Sequence, residues 1–167
     1  MSKTIWISGS RGYLGSYLTS YLLDSGYQVR GVSNLASNDS SIISIDFSDR
    51  SQIKSVLKKY GSPEIFIHLG WKNVYEVNDE CHIGSNVTNS INLIDEFYAF
   101  GTQRIMLVGT VSEYGGKEGL LQECDKDGEP ENNYVRGKIA VGKYGLKAAT
   151  DLNRIFIHIR LFNTYGS

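Results

Sequence analysis

The sequence predicts a doubly wound α/β domain: about six parallel strands in the order 3-2-1-4-5-6, with helices on both faces of the sheet. Three observations lead there. Short apolar runs alternate with stretches of helical periodicity along all 167 residues, as strands joined by crossover helices do. A glycine-rich turn, with Gly9, Gly12 and Gly15 in ISGSRGYLG, separates the first apolar run from the first amphipathic stretch. The length suits one domain, since most fall at about 100 to 200 residues.

The first strand is the apolar run IWIS, and the glycines follow it directly. Glycine has no Cβ, so an anionic group can approach the backbone of such a turn. The helix beyond it, with Leu14, Leu18, Tyr21 and Leu22 at helical spacing, brings unpaired N–H groups and the positive end of its dipole to the same point. The ligand so predicted carries phosphate, most simply a dinucleotide pyrophosphate, with Gly9, Arg11, Gly12, Tyr13, Leu14 and Gly15 around it.

Gly26 ends this helix, and residues 28–32 form the second strand. Dinucleotide folds place an acid near the end of that strand, against the adenosine ribose. Here the position holds Ser33, with Asn34 beside it. No carboxylate stands there to repel a 2′-phosphate, and Arg11 or Arg30 is available to pair with one, so NADP(H) is expected over NAD(H). The competing reading leaves both arginines as solvated surface groups.

Residues 42–45 give a third strand, and Ser48 or Asp49 caps the helix after it. Asp46 and Phe47 stand at the C-terminal edge of that strand, which in an open parallel sheet faces the ligand crevice. Asp46 is thus either a partner for an adenine amino group or a loop cap. Gly61-Ser62-Pro63 breaks the chain before EIFIHLGW, whose continuous apolar character suits a strand buried on both faces. Leu69, Gly70 and Trp71 then lie under the cofactor, while His68 reads as a core histidine.

Residues 86–100 are helical with two apolar sides, Val87, Ile91, Ile94 and Tyr98 on one and Leu93, Phe97 and Phe100 toward the other. One sheet face needs only one of them. A homodimer packed through helices 86–100 and 134–150 is the expected use of the surplus. Gly101 ends the first of these helices, RIMLVGT is the fifth strand, and 155–161 the sixth. Between them, residues 115–133 form a long polar loop of the kind that serves as a lid or substrate contact.

Net charge is −1, with acids and bases interspersed, so no basic field for nucleic acid and no polybasic membrane patch is present. No apolar run approaches the roughly 18 residues of a membrane span, and the first residues lack a signal peptide's apolar region, which makes a cytoplasmic location the expectation. Cys81 and Cys124 have neither metal nor redox spacing, and no metal site is expected.

The chemistry is carried by YVRGK. Tyr134 and Lys138 lie one helical turn apart and share a face, so the ammonium can stabilise a phenolate. A free tyrosine, with a pKa of about 10, exchanges its proton poorly near neutrality, and a neighbouring cation lowers that value. Thr110, at the end of a ligand-facing strand, offers a hydroxyl to the same reacting oxygen.

With these residues in place the chain resembles the cofactor domain of an extended short-chain dehydrogenase/reductase of the sugar-nucleotide branch. SGSRGYLG resembles that family's glycine turn, IHLGW its fourth-strand segment, NVTNSINLI the next helix, GTVSEYG its Ser/Thr-x-x-x-Tyr-Gly segment, YVRGK its active-site helix, and RLFNTYG the segment after the sixth strand. The resemblance implies a Rossmann domain over residues 1–167, ending where a substrate domain would begin. It also implies that Tyr134 is the catalytic acid or base, that Lys138 tunes it and binds the nicotinamide ribose, that Thr110 holds the substrate oxygen, and that Asn163 lies near substrate phosphate or cofactor.

Sugar-nucleotide 4,6-dehydratases follow the matched threonine with Asp-Glu, whereas this chain has Val111 and Ser112, which cannot transfer the protons that remove water. G-T-x-x-E-Y-G with HLGW upstream resembles reductases of nucleotide-linked 4-keto-6-deoxy sugars. Reduction of such a sugar nucleotide by NADPH is therefore the expected function. A nucleotide-sugar epimerase and a non-catalytic dinucleotide-binding or sensor domain are the alternatives. Because family members run to about twice a single domain, these 167 residues are expected to bind dinucleotide and to turn over little.

Overall fold

Thr4–Ser8 forms strand β1, and the turn after it feeds α1 (Tyr13–Asp24). The strands β2 (Gln28–Ser33), β3 (Ile42–Ser44), β4 (Ile65–His68), β5 (Arg104–Val108) and β6 (Ile155–Ile159) follow, with α2 (Arg50–Tyr60) after β3, α3 (Ser85–Ala99) after β4 and α4 (Asn133–Leu152) after β5. The computed structural model describes residues 3–164. All six strands pair in parallel in the order β3-β2-β1-β4-β5-β6, the order the sequence predicts. Successive strands are added in one direction from β1 to β3 and in the other from β4 to β6, and this switch between β1 and β4 opens a crevice at their C-terminal ends.

Alternation along the strands divides the core. Ile5, Ile7 and Ile67 face α1 through Leu18 and Leu22. Trp6, Phe66, Ile105, Leu107 and Phe156 point the other way, onto α2, α3 and α4, and Phe66 stacks on Phe97 at 4.1 Å between ring centroids. Here the structure corrects one inference. The second apolar side of α3, expected as a dimer surface, is used within one chain. α3 packs against both α2 and α4, and Leu93, Ile94, Phe97 and Tyr98 are all buried in the same cluster. Homodimer formation through these helices loses that argument.

Element ends follow side-chain chemistry. Asp49 is the cap of α2, accepting the N–H groups of Ser51 and Gln52. Asn132 caps α4 by accepting that of Val135 at 3.0 Å, which lengthens this helix beyond the expected 134–150. Two single helical turns escape the sequence reading, Glu80–His82 and Val111–Tyr114. Residues 115–132 contain no regular element, yet they are tied down. Arg160 reaches Asp127 at 2.6 Å and the Asp125 carbonyl at 3.0 Å, and Lys117 pairs with Asp125 at 2.6 Å. Among the described residues no helix is long and apolar enough to cross a membrane.

Candidate active site

The turn after β1 is shaped by two close approaches. Gly9 has φ +73°, and a Cβ there would stand 2.8 Å from the Gly70 nitrogen; a Cβ on Gly15 would stand 2.1 Å from the Gly9 carbonyl oxygen. The turn is thus pressed against both the end of β4 and the start of its own helix, leaving its outer side open. Over it lies a cavity of about 600 Å³, within the usual range for ligand sites of roughly 300–1,000 Å³.

The turn lines this cavity with Gly9, Arg11 and Gly12; the end of β2 adds Ser33 and Asn34, the β3–α2 loop Phe47, and the stretch after β4 Gly70 and Trp71. The other residues expected around a cofactor lie elsewhere. Gly15 is buried under the turn, Tyr13 packs edge-on against Tyr17, and Leu69 packs against the Ile5, Ile7 and Ile67 cluster. Asp46 is held by Ser48, whose N–H and hydroxyl reach its carboxylate at 2.9 and 2.7 Å and keep its pKa below the usual carboxylate value. Arg30 lies over the Tyr60 ring, and Asn163 is exposed beyond β6. The sequence reading gave no ligand role to Lys72, Asn86, Asn89 and Ser90, which also line the cavity. Their signal was positional: they follow β4 at the crevice edge or open the next helix.

His68 forms part of the cavity floor and is fully satisfied. Ser90 donates its hydroxyl to the Asn86 carbonyl at 2.7 Å, so its oxygen is left to accept from His68 Nε2 at 2.8 Å. Nδ1 must then accept, from the Ser8 hydroxyl at 2.6 Å, and Ser8 Oγ in turn accepts the Gly70 N–H at 3.1 Å. The chain of bonds assigns a neutral imidazole with its proton on Nε2. Burial, and secondarily the Lys138 charge, lower its pKa to about 3.

Lys138 is buried beside this floor. Its Nζ donates to the Val108 carbonyl at 2.7 Å and sits 4.0 Å from the centroid of the Trp71 ring and 5.7 Å from that of Tyr134. Trp71 is fixed in turn: its Nε1 donates to His82 Nδ1 at 2.8 Å, and His82 Nε2 lies 3.1 Å from the Glu76 carbonyl. Burial lowers the Lys138 pKa to about 7, with the Glu113 carboxylate acting in the opposite direction. Tyr134 departs from the sequence expectation. Its pKa is raised, by burial first and by Glu113 second, so the phenol keeps its proton more firmly than a free tyrosine does.

Thr110 stands two residues beyond Val108 and opens the turn Val111–Tyr114. Its Oγ1 accepts the Ser112 N–H at 3.3 Å, while its own N–H donates to Glu113 Oε1 at 2.8 Å. The hydroxyl proton of Thr110 is left for another acceptor. The β5 edge and α4 thus bring a neutral phenol, a buried amine near its neutralisation point and a free hydroxyl proton to one end of the sheet. Such a set can move a proton at an alcohol or carbonyl oxygen. Among the described residues no three His, Cys, Asp or Glu side chains gather as metal ligands.

A model of the NAD dependent epimerase/dehydratase family matches residues 5–167. The chain is 24% identical over 188 residues to a UDP-glucuronate 4-epimerase of Thermodesulfobacterium geofontis, which covers 96% of this chain and 55% of that protein. Its fold is similar to UDP-N-acetylglucosamine 4-epimerase from Bacillus cereus, with a TM-score of 0.86 at 20% identity over 99% of this chain and 57% of the other. It is also similar to UDP-glucose 4-epimerase from Brucella ovis, solved in complex with NAD, with a TM-score of 0.82 at 21% identity over 99% and 54%. The chain spans about half the length of these relatives.

Proposed function

The chain belongs to the NAD dependent epimerase/dehydratase family, and from that premise we propose that it binds a nicotinamide dinucleotide in the cavity over the glycine turn and acts on a nucleotide-linked sugar. The observation that carries the reading is the seating of Lys138. A lysine buried to 3% exposure, bonded to the last carbonyl of β5 and one turn from Tyr134, is costly for the fold, and such perturbed groups cluster at functional sites.

The cavity fits the dinucleotide. The approaches at Gly9 and Gly15 leave no room for side chains, and Gly12, the residue before α1, lines the cavity, which sets the positive end of that helix dipole toward a pyrophosphate. When bound, the nicotinamide supplies hydride exchange at a carbinol carbon. Having released its own proton, Tyr134 takes that of the sugar hydroxyl as the carbon is oxidised, stands as the neutral phenol in between, and returns the proton when the carbonyl is reduced. Lys138 supports the phenolate charge before and after, and Thr110 donates its free hydroxyl proton to the same sugar oxygen.

The reaction supported best is epimerisation at a sugar carbinol, in which hydride leaves and returns with no net change of redox state. The named relatives are UDP-sugar 4-epimerases, and they displace the reductase expectation drawn from G-T-x-x-E-Y-G. For the cofactor we favour NAD(H) over the expected NADP(H). Ser33 already accepts the Leu35 N–H at 3.0 Å. Asp39, whose pKa is lowered chiefly by Ser41, also feels the Arg11 charge, so an acid stands close to the cation meant for a 2′-phosphate.

Two measurements test the proposal. Calorimetry with NAD(H) is expected to show binding to the 167-residue chain. Incubation of a chain completed to its relatives' length with NAD⁺ and UDP-glucose or UDP-glucuronate, followed by NMR, is expected to show inversion at the sugar without net reduced cofactor. Tyr134→Phe should keep the cofactor affinity and lose at least about 100-fold in turnover. Stoichiometric oxidation of NADPH by a keto sugar nucleotide would restore the reductase, and binding without turnover in a chain completed to its relatives' length would favour the sensor domain.

A further inference from the structure

Behind Thr110 lies a charged cluster that the reaction just described does not use. Glu113 is fully buried. One carboxylate oxygen, Oε1, accepts the Thr110 N–H at 2.8 Å. The other, Oε2, lies 3.2 Å from His158 Nε2 and 3.7 Å from Arg160 Nε, ion-pair separations at which neither Oε2 nor His158 Nε2 completes a hydrogen bond. Arg160 is fixed from behind by Asp127 at 2.6 Å and by the face of Tyr114 at 4.4 Å.

The surrounding backbone is cut to fit. A Cβ on Gly109 would stand 2.1 Å from Glu113 Oε1 and 2.5 Å from His158 Nε2, and one on Gly142 would stand 2.3 Å from the His158 ring. Burying a carboxylate is expensive, and an apolar side chain would fill the same space more stably. Two features separate this acid from a plain structural ion pair. It holds the main chain of Thr110 directly, and it lies against Gly109, the residue next to Val108, whose carbonyl takes the Lys138 ammonium; its charge acts on the titration of both Lys138 and Tyr134.

We propose that Glu113 is a positioning residue of the active site: it sets Thr110 in place through the main-chain N–H and places a negative charge beside the strand end that holds Lys138. The groups facing Lys138 make that charge necessary. From β5 comes the neutral Val108 carbonyl, from the end of β4 the neutral His68 and the Trp71 ring, and from its own helix the Tyr134 phenol. None carries a formal negative charge, and burial alone drives the amine toward neutrality. The proposal rests on Thr110, Tyr134 and Lys138 being the reacting set.

The test reads Lys138 itself. In the 167-residue chain labelled with ¹³C-lysine, the Lys138 signal, assigned by its loss in Lys138→Arg, is followed through a pH titration by NMR. Glu113→Gln keeps an acceptor for Thr110 and removes the charge, and is expected to move the midpoint to lower pH by about one unit, the scale on which one nearby charge acts. An unmoved midpoint in the folded variant overturns the proposal. Should Glu113→Gln not fold, Glu113→Asp keeps the charge and draws it back from Thr110. Its midpoint is expected to stay close to that of the parent chain, and a fall as large as that of full charge removal overturns the assignment. Because the titration needs neither cofactor nor sugar, a failed epimerase assay leaves this result standing, and an unmoved midpoint leaves the epimerase reading intact.

Discussion

His68 should govern how the fold fails in acid. Its imidazole is neutral in the folded chain, with a pKa lowered from 6.5 to about 3 by burial and then by Lys138. Below pH 6.5 the unfolded chain therefore binds one proton more than the folded chain, and stability falls with pH until the folded imidazole also titrates near 3. At about 1.4 kcal/mol per unit, the 3.5 units between these values correspond to about 5 kcal/mol. Between pH 6.5 and 4.5 the share is about 3 kcal/mol, a large part of the 5–15 kcal/mol typical of a domain. With a urea slope of about 2 kcal/mol per molar, the unfolding midpoint should drop by roughly 1.5 M from this residue alone.

The comparison that isolates it is His68→Gln, whose amide keeps a donor and an acceptor for Ser8 and Ser90 but cannot ionise. At pH 7 this variant should be weaker by about 1–3 kcal/mol through imperfect hydrogen bonds in a buried site. Urea titrations followed by circular dichroism at pH 7, 5.5 and 4.5 should then show the gap closing as acid is added, because carboxylates elsewhere titrate alike in both chains. Two stability curves that run parallel from pH 7 to 4.5 would refute the reasoning, since they would mean that His68 takes up its proton without unfolding.

Lys138 acts over a different window. Between about 7 and its ordinary value of 10.5 the unfolded amine holds a proton that the folded one lacks, so the burial penalty is complete below 7 and disappears as pH rises through that range. Lys138→Met is expected to stabilise the chain at pH 6 by about 2–4 kcal/mol while removing turnover, and a loss of stability in urea at that pH would contradict it. For the cofactor, Asp39→Asn should raise the affinity for NADP(H) relative to NAD(H) in paired calorimetric titrations. An unchanged ratio would remove Asp39 from the account of cofactor choice.

The sheet was legible because each strand announces itself locally. The runs in IWISG, IFIHLG and RIMLVG are too apolar and too short for anything but parallel strands between helices, and the glycine turn fixes which one is central. The Tyr134 and Lys138 pair was singled out by helical spacing together with Thr110 and the resemblance of YVRGK, and the fold places the two one turn apart on α4. What escaped depends on residues far apart in the chain. Glu113 reads as a polar residue in a loop until β6 brings His158 and Arg160 against it. The firmer protonation of Tyr134 escaped for the same reason, since burial and the Glu113 charge are properties of the packed site. His82 lies in a polar stretch without periodicity, and only the fold carries it to the Trp71 indole. The second apolar side of α3 was read correctly as apolar and assigned wrongly, because periodicity says that a face is covered and not by what.

The missing methyl groups at Gly109 and Gly142 bear on how such a chain can change over time. His158 occupies the volume that two alanines would claim, and Glu113 shares the first of those gaps. Positions 109, 113, 142 and 158 are therefore coupled by the volume they share. An alanine at 142 is tolerable only after the imidazole has been exchanged for something smaller, and once the imidazole is gone, one of the two side chains facing Glu113 Oε2 is gone with it. Side chains at 109 and 142 are closed off while the imidazole stands, so in a chain whose buried acid and histidine had been replaced by smaller groups the first changes to become sterically possible would be at these two glycines.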